Sequence, residues 1–100
     1  MGWASAAIGR LLRGETVTVR PRGHSMTGKV NDRDLVTVEP LGQRAPEVGD
    51  IVLVRRRGHE YLHLVKAHQG DQFLIGNNRL GINGWVGRQA IFGVAVEVTR

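Results

Sequence analysis

Residues 15–21 read Glu15-Thr16-Val17-Thr18-Val19-Arg20-Pro21, with valine at alternate positions until proline stops the run. A period of two puts Val17 and Val19 on one face and the threonines on the other, as in a strand buried on one side. Working outward, Asp34-Leu35-Val36-Thr37-Val38-Glu39 and Ile51-Val52-Leu53-Val54-Arg55-Arg56 repeat the theme. Pro40, Gly42, Pro46 and Gly49 mark a loop between them. The stretch from Val54 to Tyr61 reads as a hairpin tip feeding a strand from Tyr61 to Ala67. Gly70-Asp71 makes another turn, Gln72 to Ile75 a further strand, and Ile91 to Val98 a last one interrupted by Gly93. Asn77, Asn78, Gly81, Asn83 and Gly84 read as a turn-rich loop, with Trp85 capping the core. Upstream the period changes: Ala4, Ile8, Leu11 and Leu12 recur at helical spacing, predicting a short amphipathic helix over residues 3–13 ended by Gly14. The expectation is a mainly β domain, a small rolled antiparallel sheet or barrel of about six short strands with one short N-terminal helix.

Composition supports a single domain over residues 1–100, with 1–14 as its helical start and 15–100 as its β-rich core. One hundred residues suffice for one core and not for two. Apolar residues are 41% and charged residues 23%, a globular balance. There is no cysteine, which removes disulfides and thiolate metal sites. The formal charge is +5, and the pI near 11.1 favours acidic partners. The Ala-rich start is too short to span a bilayer and lacks the order of a secretory signal, so a cytoplasmic domain with no membrane span is expected.

Two residues stand out chemically. The chain has two lysines, Lys29 and Lys66, against twelve arginines, and two serines, Ser5 and Ser25. On the strand from Tyr61 to Ala67, Leu62, Leu64 and Lys66 share one face, while Tyr61, His63 and Val65 share the other. A lysine held dry among leucines can lose its proton and act as a general base, which arginine cannot do. The structural alternative is a lysine whose stem packs on the leucines while its head reaches water. Ser25 follows Gly23 and His24 on a turn after Pro21, where backbone amides are available as an oxyanion hole. His24 is a bystander, because adjacent side chains in extended backbone point apart. A serine on such a turn and a lysine on an apolar strand face are the parts of a serine–lysine hydrolase.

A family resemblance follows. Gly23-His24-Ser25-Met26 resembles the Gly-x-Ser-Met motif of the LexA-type and type I signal-peptidase superfamily. Asp34-Leu35-Val36-Thr37-Val38 is similar to its Gly-Asp-x-Val-x-Val strand, with Arg33 in the glycine's place, and Val48-Gly49-Asp50-Ile51-Val52 to the next segment. Leu64-Val65-Lys66-Ala67 stands where that family has its lysine strand. Gly76-Asn77-Asn78-Arg79 resembles the Gly-Asp-Asn-Arg box, with Asn77 for the aspartate, and Ile91-Phe92-Gly93-Val94-Ala95 the closing strand. The resemblance implies a peptide-cleaving Ser–Lys dyad: Ser25 as nucleophile, Lys66 as general base, the Ser25 amide in the oxyanion hole beside Gly23, and Met26 packed beneath the turn. It implies no cofactor and no metal, and a peptide or protein substrate. Ala4-Ser5-Ala6-Ala7 offers small residues suited to self-cleavage, and a homodimer is compatible with the resemblance. The sequence shows neither a membrane anchor nor a helix-turn-helix.

His59-Glu60-Tyr61-Leu62-His63 fits the H-E-x-x-H zinc pattern, but that motif needs a helix; on a strand the histidines stand ~13 Å apart. Arg55-Arg56-Arg57 suggests phosphate contact. Trp3, Tyr61, Phe73, Trp85 and Phe92 are nevertheless too scattered for a base-stacking platform. The alternative function is a catalytically inert module that contacts nucleic acid or protein through its arginine-rich surface.

Overall fold

A computed structural model describes residues 4–21, 29–31, 33–77 and 81–99. Helix α1 (Ser5–Leu12) is followed by strands β1 (Val17–Val19), β2 (Leu35–Pro40), β3 (Ile51–Arg56), β4 (His59–Gln69), β5 (Gln72–Gly76), β6 (Ile82–Gly87) and β7 (Ile91–Thr99). A single 3-10 turn, Arg88–Ala90, joins the last two. All seven strands form one antiparallel sheet in the order β1-β2-β7-β3-β4-β5-β6. No helix among the described residues is long and apolar enough to cross a membrane.

The mainly β architecture matches the alternation in the sequence. In β1 the two valines are buried and Thr18 is exposed. Strand β3 is apolar at four successive positions because both its faces are covered. Leu53 joins one apolar cluster with Leu62, Val19, Val30, Val36 and Val38. Val52 and Val54 join a second with Val65, Phe73, Ile75 and Val86. Helix α1 lies on the first cluster through Ala4, Ala7, Ile8 and Leu11. Burial of each large aliphatic side chain there contributes about 1.5–3 kcal/mol. Gly14, at φ +86, ends the helix in the left-handed region that favours glycine.

Three expectations need correction. Residues 82–87 form strand β6 rather than part of a loop, which raises the strand number to seven. Gly84 misleads as a turn signal: a Cβ there would collide with the Arg56 guanidinium, so this glycine marks a close approach within a strand. Trp85 does not cap the core and is 43% exposed on β6. Leu12, the last residue of the helix, is 72% exposed, and the buried face is carried by Ala7, Ile8 and Leu11.

The sheet bends at four register shifts, each adding one residue to a strand. The extra residues are Val96 and Phe92 in β7, Lys66 in β4 and Asn83 in β6. Such bulges raise local twist, and the rolled sheet brings Arg56 of β3 over Gly84 of β6.

Two strands are entered through the same turn. Before β2, the Asp34 amide donates to the Asn31 carbonyl at 3.0 Å and the Asn31 amide donates to Asp34 Oδ2 at 2.8 Å. Before β3, the Asp50 amide donates to the Glu47 carbonyl at 3.0 Å and the Glu47 amide to Asp50 Oδ2 at 2.8 Å. The third position has positive φ in both: +69 at Arg33 and +98 at Gly49. The turn explains why Gly-Asp precedes such a strand, and Arg33 occupies the position that glycine suits best.

Candidate active site

Lys66 is the extra residue of the β4 bulge. Val65 stands opposite Ile75 and Ala67 opposite Leu74, so the register with β5 shifts by one residue at Lys66. On the other side, Val65 is fixed by the 47–50 turn. Its amide donates to the Asp50 carbonyl at 2.9 Å, and its carbonyl accepts from the Gly49 amide at 2.8 Å. The backbone before the lysine is thus clamped while the lysine itself is re-aimed, a use bulges often serve beside reactive groups.

The expected face is correct. Leu62 and Leu64 pack with the first apolar cluster, whereas Val65 belongs to the second, with Tyr61 packed against it. The Lys66 stem lies over Gly76: a Cβ built there would stand 3.2 Å from Lys66 Cδ and would collide with the Gly81 carbonyl oxygen. That carbonyl accepts from the Asn77 amide at 3.0 Å, and Asn77 Oδ1 accepts from the Gly81 amide at 3.0 Å. Gly76 and the closed Asn77–Gly81 pair therefore seat a half-buried Lys66 side chain. Sequence reading placed Gly76 and Asn77 in a motif without seeing this role, because it depends on a neighbouring strand.

Gly23, His24, Ser25 and Met26, and with them the nucleophile and oxyanion residues expected from sequence, lie outside the described residues. Trp3, Asn78 and Arg79 do so as well. The residues that bracket 22–28 are described. Pro21 and Val30 are buried, and Val19 and Val30 belong to the same apolar cluster as Leu62. Leu64, two residues from Lys66 on its face, packs against that cluster too.

The histidines of the H-E-x-x-H match lie on strand β4, with His59 exposed and His63 only 5% exposed. Among the described residues no group of three His, Asp or Glu side chains is placed to hold a metal ion. His63 Nδ1 is 2.6 Å from Oδ1 of Asn83, the bulged residue of β6. Burial holds the His63 imidazole below the usual histidine range, and the Asn83 hydrogen bond offsets this only in part.

Much of the arginine surface is engaged within the chain. Arg55 Nε donates to Glu60 Oε2 at 2.9 Å, with its guanidinium 5.5 Å from the Phe92 ring centre. Arg10 and Arg13 both pair with Glu15, and their hydrogen bonds hold its carboxyl below the usual range. Arg88 donates to the carbonyls of Gly42 and Arg44, and Arg20 to that of Arg33. Two clefts open away from Lys66. One of about 300 Å³ lies between Arg44, Glu47, Asp50 and Val94–Val96, and one of about 440 Å³ between the end of α1, residues 40–42 and Phe92.

Comparison with curated proteins finds no match. The Peptidase S24-like family profile matches residues 6–89, a span that includes Ser25 and Lys66. With its lysine strand and paired Asp-capped turns inside that span, the chain belongs to the Peptidase S24-like family.

Proposed function

We propose that this chain is a serine endopeptidase in which Ser25 attacks a peptide carbonyl and Lys66 accepts the serine's proton. The observation that carries the reading is the seating of Lys66: a bulged lysine, clamped by the 47–50 turn, with its stem over Gly76. Leu64, two residues before Lys66 on β4, packs against the apolar cluster whose members Val19 and Val30 flank the serine segment. Membership of a peptidase-like family supports the same reaction class.

The chemistry then follows from the residue types. The Ser25 oxygen adds to the carbonyl carbon as its proton passes to the Lys66 amine. The tetrahedral oxyanion is held by backbone amides, that of Ser25 among them. Collapse expels the amine half of the substrate, which takes the proton back from Lys66 and leaves an acyl-serine. Water, deprotonated by the same amine, releases the acid half. No step calls on a metal or cofactor.

We place the substrate in trans. Ala4 and Ala7 of the Ala4–Ala7 stretch are buried, and the Ile8 amide donates to the Ala4 carbonyl at 2.9 Å. Cleavage there would require unwinding α1 from the sheet.

The test is cleavage of a denatured protein substrate by the full chain and three variants. Ser25→Ala, Lys66→Ala and Lys66→Arg should each lose activity while retaining the far-ultraviolet spectrum. Lys66→Arg is the sharpest arm, since a guanidinium keeps its proton at neutral pH. Cleavage persisting in Lys66→Arg would sink the dyad.

A further inference from the structure

The strands beyond Lys66 carry an apolar surface that the dyad chemistry does not use. Gly76, which seats the Lys66 stem, stands opposite Ile82 of β6, and Leu74 stands opposite Trp85. Directly paired residues share a face, so Ile82, Trp85 and Leu74 lie on the same side of the sheet as Lys66. The opposite face of these strands is buried through Phe73, Ile75 and Val86. Ile82 is 54% and Trp85 43% exposed, and they are the large apolar residues that β6 leaves in water.

Resting on the peptidase reading above, we infer that Ile82, Trp85 and Leu74 form the shelf that receives apolar side chains of an extended polypeptide substrate whose scissile bond lies at Lys66. The position argues for it: the shelf begins at Ile82, directly across from the glycine under the lysine stem, and continues on the same face at Leu74 and Trp85. A substrate carbonyl that reaches Lys66 necessarily extends its neighbouring residues over one side of this site. Successive side chains of an extended segment alternate, so every second residue would face the shelf. The outer edge of β6 is poorly suited to strand addition, because the Asn83 bulge and Gly84 at φ +134 break its ladder. Recognition therefore falls to the side chains of Ile82 and Trp85. The same broken edge disfavours pairing with a second copy of this chain.

The inference can be tested by binding, separately from cleavage. In the full chain carrying Ser25→Ala and Trp3→Phe, Trp85 is the sole tryptophan, and its emission reports contact. A short peptide alternating leucine with threonine should shift that emission to the blue. The same peptide with serine for each leucine should bind at least about tenfold more weakly, the change expected when an apolar anchor is lost. Ile82→Ser in the same background should weaken the leucine peptide by a similar factor. Equal affinity for the two peptides, no shift with either, or an unchanged affinity in Ile82→Ser overturns the inference. Leucine-selective binding by a chain whose Ser25-containing form cleaves nothing would retain the shelf and remove the peptidase reading. Cleavage with unaltered KM in Ile82→Ser and Trp85→Ser would do the reverse.

Discussion

Replacing Gly76 by alanine tests whether the lysine seat is built as described. Gly76 is not among the residues with positive φ, so backbone strain plays no part in the substitution. The added methyl would run into the Gly81 carbonyl oxygen and come within 3.2 Å of Lys66 Cδ. The carbonyl is backbone, held by the Asn77 amide, and cannot swing aside as a side-chain tip would. Overpacking of this kind costs about 1–3 kcal/mol. Alanine returns about 0.4–1 kcal/mol by restricting the unfolded chain. The two ranges leave a net loss centred on about 1.3 kcal/mol and reaching about 2.6 kcal/mol, and each kcal/mol lowers Tm by roughly 4–8 °C for a domain of this size. Relieving the 3.2 Å contact moves the Lys66 stem by a few tenths of an ångström, which should also lower kcat with KM little changed. Thermal unfolding by circular dichroism reads the first effect, and steady-state peptide cleavage the second. An alanine variant with the parental Tm would show that Gly81 and Lys66 do not crowd Gly76. The seat, and the reasoning built on it, would then be wrong.

Other predictions follow from the same geometry. His63 is held neutral by burial, so below about pH 6.5 the unfolded state binds a proton that the folded state refuses. Stability should therefore be full above that pH and fall as acid carries the protein toward the folded-state pKa; urea unfolding across this range should show a slope that His63→Gln flattens. Arg57 and Gly58 form a two-residue hairpin loop with φ of +54 and +80, a geometry that favours Asn-Gly. Arg57→Asn should raise stability by up to about 1 kcal/mol, read as a higher urea midpoint at constant m-value. Asp50→Ala removes the carboxylate that closes the 47–50 turn and should cost about 1.5–3 kcal/mol. Because that turn clamps Val65, Asp50→Ala should also depress cleavage more than Asp34→Ala does; equal losses of activity would argue against the clamp.

Six of the seven described strands, the helix and the lysine proposed as general base were legible in the sequence alone. A period of two is a local property, so Val17, Val19, Val36 and Val38 declare their faces without knowledge of their neighbours. The choice of lysine at position 66, in a chain that otherwise uses arginine, is equally visible in the letters. Tertiary structure alone decided the rest. A bulge is a mismatch between two strands, so the insertion at Lys66 cannot be read from β4 without the register of β5. Gly84 looks like a turn glycine in sequence and Gly76 like a motif letter; the structure shows the Gly81 carbonyl and the Lys66 stem crowding Gly76, and a φ of +134 beneath the Arg56 guanidinium at Gly84. The same holds for His63 and Asn83, twenty residues apart, which meet because the rolled sheet sets β4 and β6 on either side of β5. Contacts set by long-range pairing leave no periodic trace in the chain, and the surroundings of the lysine consist of such contacts.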